Sequence, residues 1–335
     1  MLDDKAILIT GGTGSFGKKF IKTVLERYDP RRVIVFSRDE LKQFDMAQTI
    51  ENHRMRYFIG DIRDAARITM AMEDVDIVIH AAALKQVPAL EYNPTEAIRT
   101  NIIGTENVLT AALAKGVEKV VTLSTDKAAG PINLYGATKL AADKLTVAAN
   151  NIRGKSESRF SVVRYGNVIG SRGSVIPLFQ RMIANGAGEL PITDLGMTRF
   201  LISLQDSVDF VLKSLERMQG GELFIPKIPS ATIGTIAEAV APGIKTNEIG
   251  IRPGEKLHEV MCPRDLASLT YEYDDFYLVK PSFDFFHHTD YAETQLGENG
   301  HAVAVDFEYN SNENPHCVDA EELREIIEKA MPFDD

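Results

Sequence analysis

The segment "AILITGGTGSFGKKF", residues 6–20, decides the fold. It starts with an apolar run typical of a buried strand, and the amphipathic stretch that follows at 15–28 predicts a helix. The turn between them has the pattern G-x-x-G-x-x-G, formed by Gly11, Gly14 and Gly17. Glycines let the backbone turn tightly and approach a pyrophosphate, and the helix N-terminus supplies N–H donors. The strand–turn–helix context therefore favours a dinucleotide site over the alternative, a purely structural glycine turn.

The same alternation of apolar runs and amphipathic stretches continues along the first half of the chain. Continuously apolar strands with helices between them indicate a parallel sheet that is buried on both faces, with right-handed crossovers. The expected fold class is therefore α/β, a Rossmann-like doubly wound parallel sheet with a smaller C-terminal substrate-binding lobe. Further strands are predicted at 32–37, 56–61, 75–83, 119–125 and 160–168, and further helices at 64–73, 94–115 and 134–151.

After about residue 170 this rhythm breaks. Glycine and proline become frequent, as in "NGAGELPITDLG", and the predicted helices shorten. A chain of 335 residues also exceeds the size at which one hydrophobic core usually stops growing. We therefore expect a nucleotide-binding domain at 1–170 and a substrate-binding lobe at 171–335, interleaved with the first rather than joined to it by a linker.

Composition and charge narrow the range of partners. The chain has the 44% hydrophobic and 25% charged residues of an ordinary soluble protein, and its net charge of −11 argues against binding to nucleic acid or to an anionic membrane. The sequence contains no run of about 20 apolar residues that would predict a membrane span, and its first residues lack the pattern of a signal peptide. Cys262 and Cys317 fit no disulfide or zinc pattern, and the adjacent His287 and His288 lack further ligand spacing, so no metal is expected. These features predict a cytoplasmic protein, which we also expect to be a homo-oligomer.

The end of the second predicted strand indicates which dinucleotide the first turn would bind. An NAD site usually has an acidic residue there, about 20 residues after the glycines, that binds the ribose 2′-hydroxyl. This chain has Arg38 at that point and Lys42 one helical turn later, and such cations suit a 2′-phosphate, although Asp39 opposes it. NADP is therefore the expected cofactor, with Asp61 near its adenine unless that residue only caps a helix. The residues expected to bind it are Gly11, Thr13, Gly14, Ser15, Phe16, Gly17, Ser37, Arg38, Lys42, Asp61 and Ile62.

A second segment, "STDKAAGPINLYGATK" at 124–139, gathers ionisable side chains behind the fifth predicted strand. Tyr135 and Lys139 are spaced i and i+4 and share one face of the following helix. An adjacent ammonium lowers the pKa of a phenol, so Tyr135 can act as a base near neutral pH. Asp126 and Lys127 lie at the C-terminal end of a strand, where ligands bind in such sheets. A solvated loop pair is the alternative interpretation of these two charges.

At these motifs the chain resembles the extended short-chain dehydrogenase/reductase family, and more specifically the UDP-N-acetylglucosamine 4,6-dehydratases. The resemblance also rests on "GGTGSFG", "AAALKQVP", "RYGNVIGSRGS", "MTRF" and "RPGEKLHE", and it spans most of residues 5–262. It is to the soluble C5-inverting type that begins pseudaminic acid biosynthesis. No N-terminal membrane region is seen, and Tyr135 occupies a position where the membrane-bound, C5-retaining relatives have methionine. The substrate that the resemblance implies is UDP-N-acetylglucosamine.

The resemblance implies a role for each ionisable residue of the second segment. Tyr135, with Lys139 beside it, would remove the proton from the sugar O4 while C4 gives a hydride to NADP⁺. The resulting ketone acidifies the C5 proton. Lys127, if neutral, would remove that proton, and Asp126, if protonated, would donate to the leaving C6 hydroxyl. Hydride then returns to C6 and the cofactor is regenerated.

The diphosphate of such a substrate would require cations. Arg199 and Arg252 are candidates because a guanidinium binds phosphate oxygens bidentately, although each could be an ordinary surface arginine. Glu255 would hold a ribose hydroxyl or cap a helix, and the resemblance suggests that Asn101 orders a catalytic water and Lys139. Substrate contacts are further expected from Lys85, Thr125 and Asn167, and cofactor contacts from Ala81, Ala82, Ala83, Asn101, Tyr135 and Lys139.

Three other functions stay open at this point. A UDP-N-acetylglucosamine 4-epimerase shares the fold and the Tyr–Lys pair, but its product keeps the C6 oxygen, so the product mass separates the two. A C5-retaining dehydratase differs in the stereochemistry of its product. An NADP-sensing binding protein without catalysis would be expected to lack the tyrosine, whereas Tyr135 and Lys139 are both present.

Overall fold

The computed structural model describes residues 1–171, 173–283 and 289–331. The strands are β1 (Ala6–Thr10), β2 (Arg32–Ser37), β3 (Met55–Ile59), β4 (Ile77–His80), β5 (Lys119–Thr125), β6 (Arg159–Tyr165), β7 (Asn167–Val168), β8 (Glu189–Ile192), β9 (Thr198–Ile202), β10 (Leu223–Pro226), β11 (Ser230–Thr232), β12 (Lys245–Glu248), β13 (Val260–Cys262), β14 (Thr270–Glu272), β15 (Phe276–Val279), β16 (His301–Ala302) and β17 (Tyr309–Asn310). The α-helices are α1 (Ser15–Arg27), α2 (Glu40–Thr49), α3 (Ala65–Ala71), α4 (Val87–Tyr92), α5 (Pro94–Ala97), α6 (Gly104–Lys115), α7 (Leu134–Ile152), α8 (Val175–Ala184), α9 (Leu204–Arg217), α10 (Ile233–Val240) and α11 (Ala320–Ala330).

The large sheet confirms the predicted fold class. Within the described residues it has ten strands, in the order β3-β2-β1-β4-β5-β6-β10-β15-β14-β16. Each neighbouring pair from β3 to β10 is parallel, and the three pairs beyond β10 are antiparallel. The strand order reverses at β1, which has β2 on one side and β4 on the other. In a doubly wound sheet this reversal opens a crevice at the carboxyl ends of the strands, where ligands bind.

The central strands lie where the sequence predicts them. Strands β1, β2 and β5 have the predicted bounds, since strands buried on both faces are apolar throughout. Strand β4 is shorter than predicted and ends at His80. The ring of His80 is buried, with Nδ1 2.7 Å from Thr10 Oγ1 and Nε2 2.9 Å from Thr105 Oγ1. The alanines that follow it leave the sheet and are free to line a cavity.

Two predicted elements are interrupted in the structure. The strand predicted at 160–168 is divided at Gly166, where a Cβ would lie 2.4 Å from Cβ of Phe200. Strand β6 therefore stays in the large sheet while β7 pairs with β9. The helix predicted at 94–115 consists of α5, a π-helical turn at Ile98–Ile103, and α6. A π-helical turn of this kind is often found at functional sites.

The chain after residue 170 extends the large sheet and also forms a second core. Strand β10 pairs with β6, and β15, β14 and β16 follow it outward. A separate cluster of buried side chains, which includes Phe179, Ile236 and Leu323, joins α8, α10 and α11. The small sheet β7-β9-β11 connects the two parts. The cavity described next therefore has walls from both halves of the chain.

Two further results apply to the described residues alone. None of their helices is long and apolar enough to cross a membrane. They also contain no group of three or more His, Cys, Asp or Glu side chains that could hold a metal ion. His287 and His288 lie outside the described residues.

Candidate active site

A cavity of about 1150 Å³ opens at the carboxyl ends of the parallel strands. Its walls are the turns after β1, β2, β3 and β4, the segment from β5 to α7, and the loop at 252–259 from the second half of the chain. It brings together all the predicted site residues except Asp126 and Asn101, which are buried behind its wall. This volume exceeds the roughly 300–1,000 Å³ of an ordinary small-molecule pocket.

The glycine turn at the start of α1 leaves a space that side chains would fill. Gly11 has a φ of +67°, and a Cβ there would lie 3.0 Å from the backbone of Ala82. A Cβ on Gly17 would lie 2.4 Å from the carbonyl oxygen of Gly12, so α1 can pack on the turn only with glycine at that position. The N-terminus of α1 faces this space, which suits the diphosphate of a dinucleotide.

The cations expected to recognise a 2′-phosphate are paired with carboxylates. Arg38 Nη1 lies 3.5 Å from Asp61 Oδ2, and Lys42 Nζ contacts Asp39, which also caps α2. Burial would raise the pKa of Asp61, but hydrogen bonds from Arg63 and the charge of Arg38 hold it below its usual value. Both Arg38 and Lys42 line the cavity beside the turn after β2.

Asn101 does not reach the cavity. It lies in the π-helical turn and is buried, and its Oδ1 accepts a hydrogen bond from the backbone N of Leu84 at 2.8 Å. Its Nδ2 donates to the carbonyl of Leu84 at 2.9 Å and to Thr138 Oγ1 at 3.0 Å. Asn101 thus ties the turn after β4 to α7. In this structure its amide is bonded to the backbone of Leu84 and to Thr138, and it does not line the cavity.

Tyr135 and Lys139 lie in the first turns of α7 and both line the cavity. Burial raises the pKa of Tyr135 to about 12, although the charge of Lys127 and a hydrogen bond with Thr125 act in the opposite direction. Burial also lowers the pKa of Lys139, and the charge of Asp143 opposes that effect. The sequence led us to expect a phenol with a lowered pKa. Here desolvation of the phenolate outweighs the charge of Lys127, and Lys139 is not among the main contributors to the shift.

The ammonium of Lys127 is surrounded by oxygens. Nζ lies 3.0 Å from Asp126 Oδ1, 3.2 Å from Glu259 Oε1 and 3.4 Å from Asn167 Oδ1. Burial alone would lower the pKa of Lys127, but the charges of Asp126 and Glu259 outweigh it and raise that pKa above its usual value. An ammonium has three N–H donors, and three acceptors are present. This arrangement holds Lys127 protonated, whereas a base must be neutral.

Glu259, which is not among the residues predicted from sequence, is 2% exposed and lines the cavity. It belongs to the motif "RPGEKLHE", but no local pattern pairs it with Lys127. The same loop makes two more contacts with the segment between β5 and α7. Asn133 Nδ2 donates to the carbonyl of Gly254 at 2.7 Å, and Lys256 Nζ donates to the carbonyl of Ala129 at 2.6 Å. The loop at 252–259 therefore forms one wall of the site and fixes the segment that carries Lys127.

Three further predicted substrate residues, Arg199, Arg252 and Lys85, also line the cavity. Arg199 is buried, donates to the carbonyl of Thr198 at 2.7 Å, and has its Nε 3.9 Å from Glu259. Arg252 is half exposed, and its Nη1 lies 3.8 Å from Glu255. Lys85 is at the rim, where desolvation and the charge of Lys127 lower its pKa. The cavity lining thus contains several cations, as an anionic ligand would require.

The chain is similar to known proteins over nearly its whole length. Residues 7–281 match the family described as polysaccharide biosynthesis protein. The chain is 56% identical over 334 residues to a UDP-N-acetylglucosamine 4,6-dehydratase (inverting) of Campylobacter jejuni subsp. jejuni serotype O:23/36 (strain 81-176), with 99% of this chain and 100% of that relative covered. The X-ray structure of Pen from Bacillus thuringiensis is 39% identical, with a TM-score of 0.88 and 98% of each chain covered.

The chain is also similar, over nearly its whole length, to a relative with another activity. A UDP-glucose 4-epimerase of Rickettsia canadensis (strain McKiel) is 41% identical over 334 residues, with 98% of this chain and 96% of that relative covered. The higher identity lies with the dehydratase, and this confirms the resemblance predicted from the motifs. The chain therefore belongs to the polysaccharide biosynthesis protein family, together with the inverting UDP-N-acetylglucosamine 4,6-dehydratases.

Proposed function

We propose that this protein is a UDP-N-acetylglucosamine 4,6-dehydratase that inverts C5 and forms a UDP-4-keto-6-deoxy-L-arabino-hexose. One observation carries the proposal: an acid–base pair, with Lys127 on the cavity wall and Asp126 buried directly behind it, lies beside a hydride-transfer pair. Asp126 and Lys127 are 3.0 Å apart, and Tyr135 and Lys139 line the wall next to them. Oxidation at C4 needs only the second pair, whereas elimination of water also needs the first.

A nicotinamide dinucleotide fits the first half of the cavity, and we propose NADP. Its diphosphate would lie on the glycine turn, where a Cβ on Gly11 or Gly17 would press against backbone. Arg38 and Lys42 would bind the 2′-phosphate, exchanging their present carboxylate partners for it. When bound, the dinucleotide would supply the hydride acceptor for C4 and the hydride donor for C6, and C5 would regain a proton from solvent on the face opposite to the one from which Lys127 removed it.

The chain's own residues would move the protons of the oxidation. Tyr135, as phenolate, takes the proton from the sugar O4. Its raised pKa makes it a strong base once ionised, and the hydrogen bond with Thr125 holds its oxygen in the cavity. The charge of Lys139 is sustained by Asp143, one helical turn further along α7.

The elimination of water that follows uses Asp126 and Lys127. Neutral Lys127 takes the C5 proton, the C5–H electrons form the C5–C6 double bond, and the hydroxyl at C6 leaves as water with the proton of Asp126. The reactive form, with neutral Lys127 and protonated Asp126, contains as many protons as the ion pair of the structure. Transfer of one proton along the 3.0 Å contact converts one form into the other. The protonated Lys127 described above is therefore compatible with its role as a base.

The deciding experiment is to incubate the protein with UDP-N-acetylglucosamine and NADP⁺ in D₂O. We expect a product lighter by one water, apart from the deuterium it gains, with deuterium at C5 and inverted C5 configuration by proton NMR at early times. A product with retained C5 configuration would contradict the inversion and leave the dehydratase assignment intact.

The second candidate is a UDP-sugar 4-epimerase, which the 41% identical relative of Rickettsia canadensis favours. An epimerase would use Tyr135 and Lys139 in the same way but would leave Asp126 and Lys127 without a proton to transfer. A product of unchanged mass, without deuterium at C5 and with inverted C4 configuration by proton NMR, would establish this candidate and overturn the dehydratase.

A further inference from the structure

We propose that Glu259 is a positioning residue for the elimination step. It would hold Lys127 beside Asp126 and stabilise the positive charge that forms on Lys127 as that residue takes the C5 proton. The proposal rests on the proposed dehydratase function and assigns a role to a residue outside the "STDKAAGPINLYGATK" segment.

The backbone of Glu259 is anchored so that its carboxylate points at Lys127. Its N–H donates to Ser311 Oγ at 2.9 Å, and its carbonyl accepts from the N–H of Ser311 at 2.8 Å. Strand β13 follows directly and pairs with β17. The side chain is 2% exposed, with Oε1 3.2 Å from Lys127 Nζ. A carboxylate fixed in this way loses little side-chain entropy when it binds the ammonium.

The charges explain why one lysine needs two carboxylates. In the reactive form the proton has moved from Lys127 to Asp126, so Asp126 is neutral and cannot stabilise a cation. Glu259 is then the anion in contact with Lys127. As the C5–H bond breaks, Lys127 becomes an ammonium, the leaving C6 oxygen takes the proton from Asp126, and water departs. A fixed negative charge placed where positive charge develops lowers the barrier of that step.

A second feature of the site supports this assignment. Glu259 Oε2 and Asp126 Oδ2 are both buried and have no hydrogen-bond partner among the described residues. A carboxylate oxygen left unpaired away from water is costly, and such a group in a native structure requires an explanation. Asp126 Oδ2 is available to carry the proton, and Glu259 keeps its charge directed at Lys127. Arg199 Nε also lies 3.9 Å from Glu259 Oε1.

The test compares two steps of one reaction in wild type and in Glu259→Gln. Reduced nicotinamide measured in a single turnover at about 340 nm reports oxidation at C4, and deuterium at C5 reports the proton removal that Lys127 carries out. In Glu259→Gln we expect C4 oxidation within about threefold of wild type and C5 exchange slower by roughly 10- to 100-fold, so reduced cofactor accumulates. Glu259→Asp should recover part of the C5 rate, since its charge is retained at a greater distance.

Glu248→Gln is the matched control, because Glu248 is an exposed glutamate on β12 that does not line the cavity. It should leave both steps unchanged. Equal loss of both steps in Glu259→Gln, or wild-type rates for both, would overturn the proposal. If Glu259→Gln does not fold, Glu259→Asp carries the same comparison, and an equal change in its two steps overturns it. The mass of the wild-type product tests the dehydratase function separately, so the two failures are distinguishable.

Discussion

At the scale of single residues, Tyr135 links burial to the pH dependence of the reaction. Its pKa of about 12 reflects desolvation, and the charge of Lys127 acts to lower it. Because C4 oxidation needs the phenolate, we expect its rate to rise with pH between about 6 and 9. Lys127→Met removes the cation, so the pKa of Tyr135 should rise further and the profile should move to higher pH. At a fixed pH, the rate should fall about tenfold for each unit by which that pKa rises.

The measurement is the pH profile of single-turnover cofactor reduction. Lys144→Met, which removes an exposed lysine from the same helix, serves as the control and should reproduce the wild-type profile. A Lys127→Met profile that coincides with wild type would show that Lys127 has no influence on Tyr135.

The division of labour between Tyr135 and Asp126 gives a second prediction. Tyr135→Phe should abolish both cofactor reduction and C5 exchange, since the ketone must form before the C5 proton becomes acidic. Asp126→Asn should slow the loss of water and still allow transient reduced cofactor at about 340 nm. Stopped-flow absorbance and product mass distinguish the two variants. The assigned roles are wrong if both variants lose cofactor reduction completely.

Arg38 gives a third prediction, concerning the choice of cofactor. A charge-assisted hydrogen bond to phosphate contributes about 1.5–3 kcal/mol, so Arg38→Ala should weaken NADP binding by roughly 10- to 100-fold while NAD binding changes little. Titration calorimetry with both dinucleotides measures the difference. Arg56→Ala, at an exposed position on β3, is the control. An unaltered preference for NADP in Arg38→Ala would remove this residue from the site.

At the scale of elements, the site depends on how closely α7 packs against the turn at Asp126–Ala128. Gly136 lies in the first turn of the helix, and a Cβ there would be 2.1 Å from the carbonyl oxygen of Lys127. Gly136→Ala should therefore displace the turn that carries Asp126 and Lys127. Because a misplacement of about 1 Å costs roughly 100-fold in rate, turnover should fall by about that factor.

Gly188→Ala is a suitable control for this fourth prediction. Nothing lies within 4 Å of a Cβ at Gly188, and its φ is not in the left-handed region. Turnover and thermal denaturation should be measured together, because overpacking also costs about 1–3 kcal/mol of stability. Normal turnover in Gly136→Ala would mean that the turn can move without harm to catalysis.

At the scale of the whole molecule, sequence patterns correctly predicted those features that depend on residues close together in the chain. The turn after β1 was predictable from its three glycines, and strands β1, β2 and β5 were predictable from continuous apolar runs. The features that the sequence did not predict depend on contacts between residues far apart in the chain. Gly166 divides a strand because Phe200 lies against it, and Glu259 meets Lys127 only because the loop at 252–259 folds over the end of β5. Such pairs leave no periodic signal in the sequence.

The pairing of β10 with β6 has a consequence for the order in which the ribosome delivers this chain. When residues 1–170 have emerged, the glycine turn and α1 are complete, but β6 is still an edge strand with unpaired backbone groups. Such an edge invites pairing with another chain. The nascent protein is therefore most prone to aggregation between the synthesis of β6 and that of β10. Expressed alone, residues 1–170 should aggregate in a sedimentation assay, and the contact between Lys127 and Glu259 forms only once residue 259 has been translated.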